Sequence, residues 1–331
     1  MNSRTYEWEV VGNFRSEIES LEFVSLSKGL MSDFIFNKQK IERFAKYRHS
    51  INRIQLTEDA GKTWKIIHQS ESCGLMRCFQ HINSVGWLLS IKVVYDGERH
   101  PPLNFMLYKS VNEGYNWEKV CDLPYSTKGF YFFDEYNGYA WTFGKIFATS
   151  NQGKFWKLVA STDIFYKKGK SNNIGKDQVI YYIKGNNING LNPWRNIDIT
   201  LHLPEDFKPE NILASPILPI IYVLGGSSQG CMILTYEKNR LVSEEFVPIK
   251  ECLQFKSECF VSGGDLLNLV GSVQGSFFKS YYFYVRDKDG WHEESISGSK
   301  NFEHFAYWGN AAWAVRISLL YGRREIVKRR N

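Results

Sequence analysis

Apolar and polar residues alternate over short runs of the chain, as in Ile51 to Leu56 (INRIQL) and Trp64 to Ile67. A period of two marks a strand with one buried face. The most apolar run, Ala214 to Gly226, carries Pro216 and Pro219 and reads as a strand pair. At about a dozen residues it is shorter than the roughly 20 that a membrane-spanning helix needs. One stretch breaks the alternation. In 37–50 (NKQKIERFAKYRHS), Ile41, Phe44 and Ala45 fall at helical spacing. That predicts a short amphipathic helix whose other face carries Lys38, Lys40, Arg43 and Lys46.

Repeats organise the strands. Three segments share the pattern Ser or Thr, any, Asp or Asn, any, Gly, any, any, Trp: Thr57, Asp59, Gly61, Trp64; Ser110, Asn112, Gly114, Trp117; and Thr149, Asn151, Gly153, Trp156. One chance match in a chain this long is on the order of one in a hundred from ordinary residue frequencies. Three in order are therefore a repeat. Each position has a physical task. The Ser or Thr ends a strand, and the Asp or Asn accepts from backbone amides of the turn. Gly takes a positive φ, and the Trp opens the next strand and buries its ring between sheets.

These residues resemble the Asp-box of sialidases, sortilin-type receptors and propeller-type photosystem assembly factors. The third copy extends the likeness. Phe130 to Phe133, Gly138 to Thr142, Gly144 to Thr149 and the strand from Trp156 form one four-stranded propeller blade. The resemblance implies that each box turns the chain between a blade's third and fourth strands. It also implies that the boxes lie on the face opposite the usual active site, bind no metal and inform fold more than function.

With the box tryptophan as a ruler, Trp194 and Trp291 mark two further outer strands. A degraded copy at Glu237 to Val242 divides the interval between them. After Trp291 come three strand-like runs, Phe302 to Trp308, Ala311 to Ile317 and Ser318 to Val327. Tyr6 to Val11 (YEWEVV) resembles the outer strands KTWKII and YNWEKV, so the first segment completes the last blade through Trp8. The expected fold is all-β, a seven-bladed β-propeller of four-stranded antiparallel blades forming a single domain over 1–331, with six blades as the alternative. Insertions are expected at 37–50 and 95–102, each between second and third strands. With the blade-joining segment Phe165 to Lys170 they should share the face away from the boxes.

Composition narrows the function. Among 331 residues, 41 are basic and 35 acidic, a net charge of +6. That is short of a dedicated nucleic-acid coat, although local basic patches exist. The N-terminus lacks a signal-peptide pattern. The six cysteines form no CxxC pair and read as reduced and packed. A cytoplasmic location without membrane association is the expectation.

No catalytic motif emerges. The sialidase resemblance implies an early Arg-Ile-Pro signature, an arginine triad, a Tyr–Glu nucleophile pair and an acid/base Asp. The nearest match, Arg53-Ile54-Gln55, lacks the Pro and falls in the strand leading into a box. The seven histidines show no zinc-ligand spacing. Asp287, Asp289 and Gly290 fail the EF-hand pattern, and with Trp291 they read as a shortened box turn. Glu293 and Glu294 are adjacent and point to opposite faces of a strand. No P-loop, GxGxxG or GxSxG occurs. No enzyme activity, metal or cofactor is therefore expected.

The residues assigned to partner binding are Arg43, Tyr47, Tyr95, Asp96, Glu98, Arg99, Lys167 and Lys168. As a whole the chain, with its aromatic load and decayed repeats, also resembles propeller-type immunity proteins of bacterial contact-dependent growth-inhibition systems. That resemblance implies a protein partner, a cognate toxin domain such as an EndoU-type tRNA-cleaving nuclease, blocked sterically. Nuclease toxins are usually basic, so an acidic subset should steer the contact: Glu17, Glu19, Glu22, Asp96, Glu98, Glu244 and Glu245. The alternatives are an RNA- or acidic-partner-binding scaffold that also uses Lys170, an assembly factor of the photosystem kind, and a sialidase-like hydrolase.

Overall fold

The computed structural model describes residues 8–36, 50–70, 75–82, 84–93, 103–161, 174–175, 177–215, 218–227, 230–247, 254–255, 260–262, 266–274, 279–287, 290–294, 302–308, 311–317 and 323–329. These residues form seven antiparallel sheets and no helix. The fold is the expected seven-bladed β-propeller. The helix expected within 37–50 lies outside the described residues, apart from Ser50, which begins a strand.

Blade one comprises Glu17–Phe23, Gly29–Phe36, Ser50–Thr57 and Lys65–Ser70. Blade two comprises Leu75–Ile82, Val85–Val93, Leu103–Ser110 and Glu118–Asp122. Blade three follows with Gly129–Phe132, Gly138–Trp141, Lys145–Thr149 and Lys157–Ser161, within one or two residues of the expected limits. Blade five is Lys208–Ala214, Ile220–Ser227, Gly230–Glu237 and Arg240–Phe246. The apolar run at 214–226 is thus the end of one strand, a Pro-containing turn and the next strand.

Two blades depart from the plan. Among the described residues, blade four has three strands, Ile180–Lys184, Asn187–Asn192 and Ile197–His202. Its innermost position is represented by one bridge, Ile174 to Ile180. In blade six two described segments, Gln254–Phe255 and Phe260–Ser262, both pair with Leu266–Gln274 on the inner side. Lys279–Asp287 and Gly290–Glu294 complete it, joined by a tight connection at the expected shortened turn.

Blade seven is Phe302–Trp308, Ala311–Ile317 and Arg324–Arg329, with Trp8–Phe14 as its outer strand. The register runs from Trp8 opposite Arg329 to Phe14 opposite Arg324. The first strand therefore covers the edge that the last would otherwise expose.

The chain divides into two compact units, one of residues 143–146 and 158–296, the other of 7–142, 147–157 and 297–331. Each has its own core. In the first, Ile183, Ile188 and Leu201 of blade four pack with Ile212, Val223 and Leu234 of blade five around Phe207. The Tyr236 hydroxyl donates to His202 O at 2.9 Å across that seam. In the second unit, separate apolar clusters fill the seams between blades seven and one, one and two, and two and three.

Candidate functional site

The three box turns are built alike. Thr57, Ser110 and Thr149 each end the third strand of their blade. Their hydroxyls accept from the amides of Gly61, Gly114 and Gly153 at 2.9, 2.9 and 3.1 Å. The same hydroxyls donate to Oδ1 of Asp59, Asn112 and Asn151 at 2.9, 3.0 and 2.9 Å. That Oδ1 in turn accepts from the amides of Thr63, Asn116 and Phe155 at 2.8, 2.9 and 3.0 Å. Two side chains thus satisfy turn amides that no strand reaches. The arrangement needs one acceptor oxygen at the third position, so Asp and Asn are interchangeable there.

The glycines sit at φ of 96°, 93° and 78°. The residues before them, Ala60, Glu113 and Gln152, are also left-handed, at 63°, 59° and 65°. The repeated residue types carry no sign of that second left-handed residue, which is Ala, Glu or Gln. Its use is visible in blades one and three, where the amides of Ala60 and Gln152 reach Ser27 O and Tyr136 O at 2.8 and 3.0 Å. This links a blade's first hairpin turn to its last.

Each box tryptophan packs against the blade before its own. Trp64 joins the blade seven–one cluster, Trp117 the one–two cluster and Trp156 the two–three cluster. The indole N–H of Trp64 donates to Gly61 O at 2.9 Å, and that of Trp117 to Gly114 O at 2.8 Å. Trp156 differs, since its indole lies beside the Cys121 thiol, whose pKa burial pushes up.

A second repeat joins the same seams. Trp313 stacks on Phe23 with centroids 3.7 Å apart, and Phe23 meets Trp64 edge-on at 6.3 Å. Trp87 stacks on Phe132 at 4.3 Å, and Phe132 meets Trp156 edge-on at 5.9 Å. Lys328 and Lys109, the cross-strand partners of Trp313 and Trp87, lie 5.3 and 5.7 Å over those rings. Gly29 and Gly138 leave room for the phenylalanines, because a Cβ at either would lie 2.8 Å from the ring. The signal was present in the chain as Phe23 and Phe132 each six residues before a Gly.

Polar contacts also cross the seams of this unit. Ser32 Oγ donates to Met76 O at 2.8 Å, joining blades one and two. Gln80 makes a reciprocal pair with Phe132 N and O, both at 2.6 Å, joining blades two and three. His304 Nε2 lies 3.0 Å from Ile18 O between blades seven and one.

All eight partner-binding residues, Arg43, Tyr47, Tyr95, Asp96, Glu98, Arg99, Lys167 and Lys168, lie outside the described residues, as do Lys38, Lys40, Lys46 and Lys170. Their connections are bounded by structure. The first spans from Phe36 to Ser50 and the second from Val93 to Leu103, each joining a second strand to a third. In blade three the same connection runs only from Trp141 to Lys145.

Among the acidic residues, Glu17 reaches Arg324 at 3.7 Å and Glu245 reaches Arg286 at 2.5 Å, while Glu22 is buried and Glu244 exposed. Trp194 sits in the turn ahead of its outer strand, not at the strand's start. There Asn192 Oδ1 accepts from the amides of Trp194 and Arg195, both at 3.0 Å. Arg53 is held by Asp33, its cross-strand neighbour, through two hydrogen bonds, one from Nε at 3.0 Å and one from Nη2. Among the described residues, no three His, Cys, Asp or Glu side chains are grouped to hold a metal, and no helix is long and apolar enough to cross a membrane.

No protein-family model matches the chain, and no curated protein sequence does. Solved structures do. YCF48 from Cyanidioschyzon merolae aligns over 97% of this chain and 98% of its own, at 13% identity and a TM-score of 0.55. The β-propeller domain of the Trilobed protease from Pyrococcus furiosus covers 96% and 93%, at 8% identity and a TM-score of 0.62. The GH74 xyloglucanase from Xanthomonas campestris covers 94% of this chain, which matches 52% of the enzyme's length, at 12% identity and a TM-score of 0.56. At these identities the likeness is one of fold: the chain is a β-propeller.

Proposed function

We propose that this chain is a non-enzymatic, protein-binding propeller. In its finer form the reading is an immunity protein that binds and sterically blocks a cognate bacterial toxin domain, with an EndoU-type tRNA-cleaving nuclease as the first partner to try. The observation that carries the coarser reading is the position of the two enlarged connections. They spring from the same ends of neighbouring blades one and two, away from the box turns. A rigid scaffold that varies its loops at one end is built for recognition.

The engagement of Arg53 weighs against a sialidase-like hydrolase. Its guanidinium, the nearest match to the arginine signature, is spent on the fully buried Asp33 carboxylate. Removing either charge from a buried pair leaves the other uncompensated. This arginine is therefore structural.

Recovery of partners from the native host, followed by titration with the recovered toxin domain, tests the proposal. Stoichiometric inhibition of a nuclease supports the finer reading. Asp96→Lys with Glu98→Lys should weaken binding by tenfold or more if those carboxylates steer a basic partner, and unchanged affinity removes them from the contact. Absence of any toxin partner, together with RNA binding that falls steeply with added salt, would transfer the assignment to the nucleic-acid alternative.

A further inference from the structure

The box turns do more than join strands, because their outward positions carry apolar side chains. Val111 and Phe155 are 70% and 67% exposed, and Tyr115 is 42% exposed, all within the boxes of blades two and three. Leu26 and Tyr136, in the first hairpin turns of blades one and three, are 58% and 54% exposed. First and last hairpin turns lie at the same end of a four-stranded blade. Here they are also tied to one another: Ser27 to Ala60, Lys28 to Glu113, Lys109 to Gln152, and Tyr136 to Gln152. Five large apolar side chains therefore project from one bonded set of turns in one compact unit.

Together they offer on the order of 500 Å² of side-chain surface, taking about 150–250 Å² for each fully exposed aromatic. That is near the upper end of what a monomer leaves uncovered. None of the five is among the residues described as filling the seams of this unit. The charges on the same turns are of both signs. Lys28 pairs with Glu113 at 2.5 Å, Lys62 and Lys154 are exposed, and Glu58, Asp59, Asp134 and Glu135 stand on the same turns. A face that intersperses both signs can set each charge against its opposite on a second copy, whereas a face of one sign cannot.

We infer that the box-turn end of blades one to three is a self-association surface, its occupant being the same face of a second copy of this chain. A two-fold contact centred on Val111 and Phe155 would use the apolar residues as its core and the paired charges as its rim. Standard interfaces cover about 800 Å² per partner, so the five side chains supply more than half and the turn backbones the remainder. The contact leaves the opposite end, with its enlarged connections, open.

Sedimentation velocity on the full chain tests this. The weight-average mass should rise from 38.6 kDa towards twice that value as concentration increases. Val111→Lys and Phe155→Lys, both at exposed turn positions, should weaken association at least tenfold while the melting temperature and circular dichroism stay unchanged. Leu241→Lys, on an exposed outer strand of blade five, should associate as the parent does. A parent chain that remains monomeric at about 100 µM, a hundredfold above a micromolar constant, overturns the inference and leaves the patch to a different protein. So does association that both lysine variants retain.

Discussion

Asp59 shows how one side chain can hold a turn in two protonation-dependent ways. Hydrogen bonds from the Thr63 hydroxyl and then the Thr63 amide stabilise its carboxylate, pulling the pKa from 3.8 to about 2. The folded value lies below the unfolded one, so the contribution is complete above about pH 4. It is lost as the pH falls from there towards 2. Asn112 and Asn151 perform the same backbone contacts without titrating. Asp59→Asn should therefore fold normally, and its urea midpoint should fall less steeply between pH 4 and pH 2 than the parent's. Equal slopes in the two proteins would mean that this carboxylate does not couple to folding. Gly153 poses a steric test of the same motif. A Cβ there would lie 2.5 Å from Leu107 Cδ2 and 3.1 Å from Phe132 Cζ, at a φ of 78°. At Gly61 the nearest atom is 3.3 Å away. Both alanine variants carry left-handed strain of about 1–2 kcal/mol, and Gly153→Ala adds overpacking of about 1–3 kcal/mol. Denaturant titration should rank Gly153→Ala as clearly the less stable of the two.

At the scale of the strand and hairpin, what could be read from the chain depended on punctuation. Blade three was legible because Gly138, Gly153 and the box bracket its strands, and because its connections are short. Trp194 misled because a tryptophan after an Asn turn looks alike whether it enters the strand or stays in the loop. Asn192 captures two amides and holds Trp194 in the turn, so the outer strand begins only at Ile197. The stacked Trp–Phe pairs were missed because they join residues far apart in the chain, Phe23 with Trp313 and Trp87 with Phe132. Local alternation reports which face of a strand is buried but not the ring that will cover it. The outer strands of blades one, two and five share one more device. The register slips beside Ile67 in blade one, Val120 in blade two and Val242 in blade five. Such bulges distort an exposed edge and make it a poor template for a further strand, which suits blades whose outer strands carry exposed Ile66, Leu241 and Val242.

The pairing of the chain's beginning with its end governs the molecule as a whole. Trp8–Phe14 is the outer strand of blade seven, and its partner carries Ile326 and Val327, both fully buried. Val11 and Phe14 pack into the seam between blades seven and one, where Phe14 meets Trp64 edge-on at 6.2 Å. Removing residues 1–14 would therefore do two things at once. It would strip apolar cover from a blade and from a seam, and it would expose the backbone edge of Arg324–Arg329, which has no bulge-bearing outer strand of its own to replace the loss. The truncated chain should melt roughly 10 °C or more below the parent, since several kcal/mol of burial are lost and each is worth about 2–4 °C in a large domain. It should also elute as aggregates, because an unpaired edge templates further strands. Supplying residues 1–14 as a separate peptide should return the aggregated chain to the parent's elution position in proportion to its occupancy. A truncated protein that melts with the parent and stays dispersed would mean that the seam between first and last blades is held by Trp313, Phe23 and Trp64 without help from the first strand.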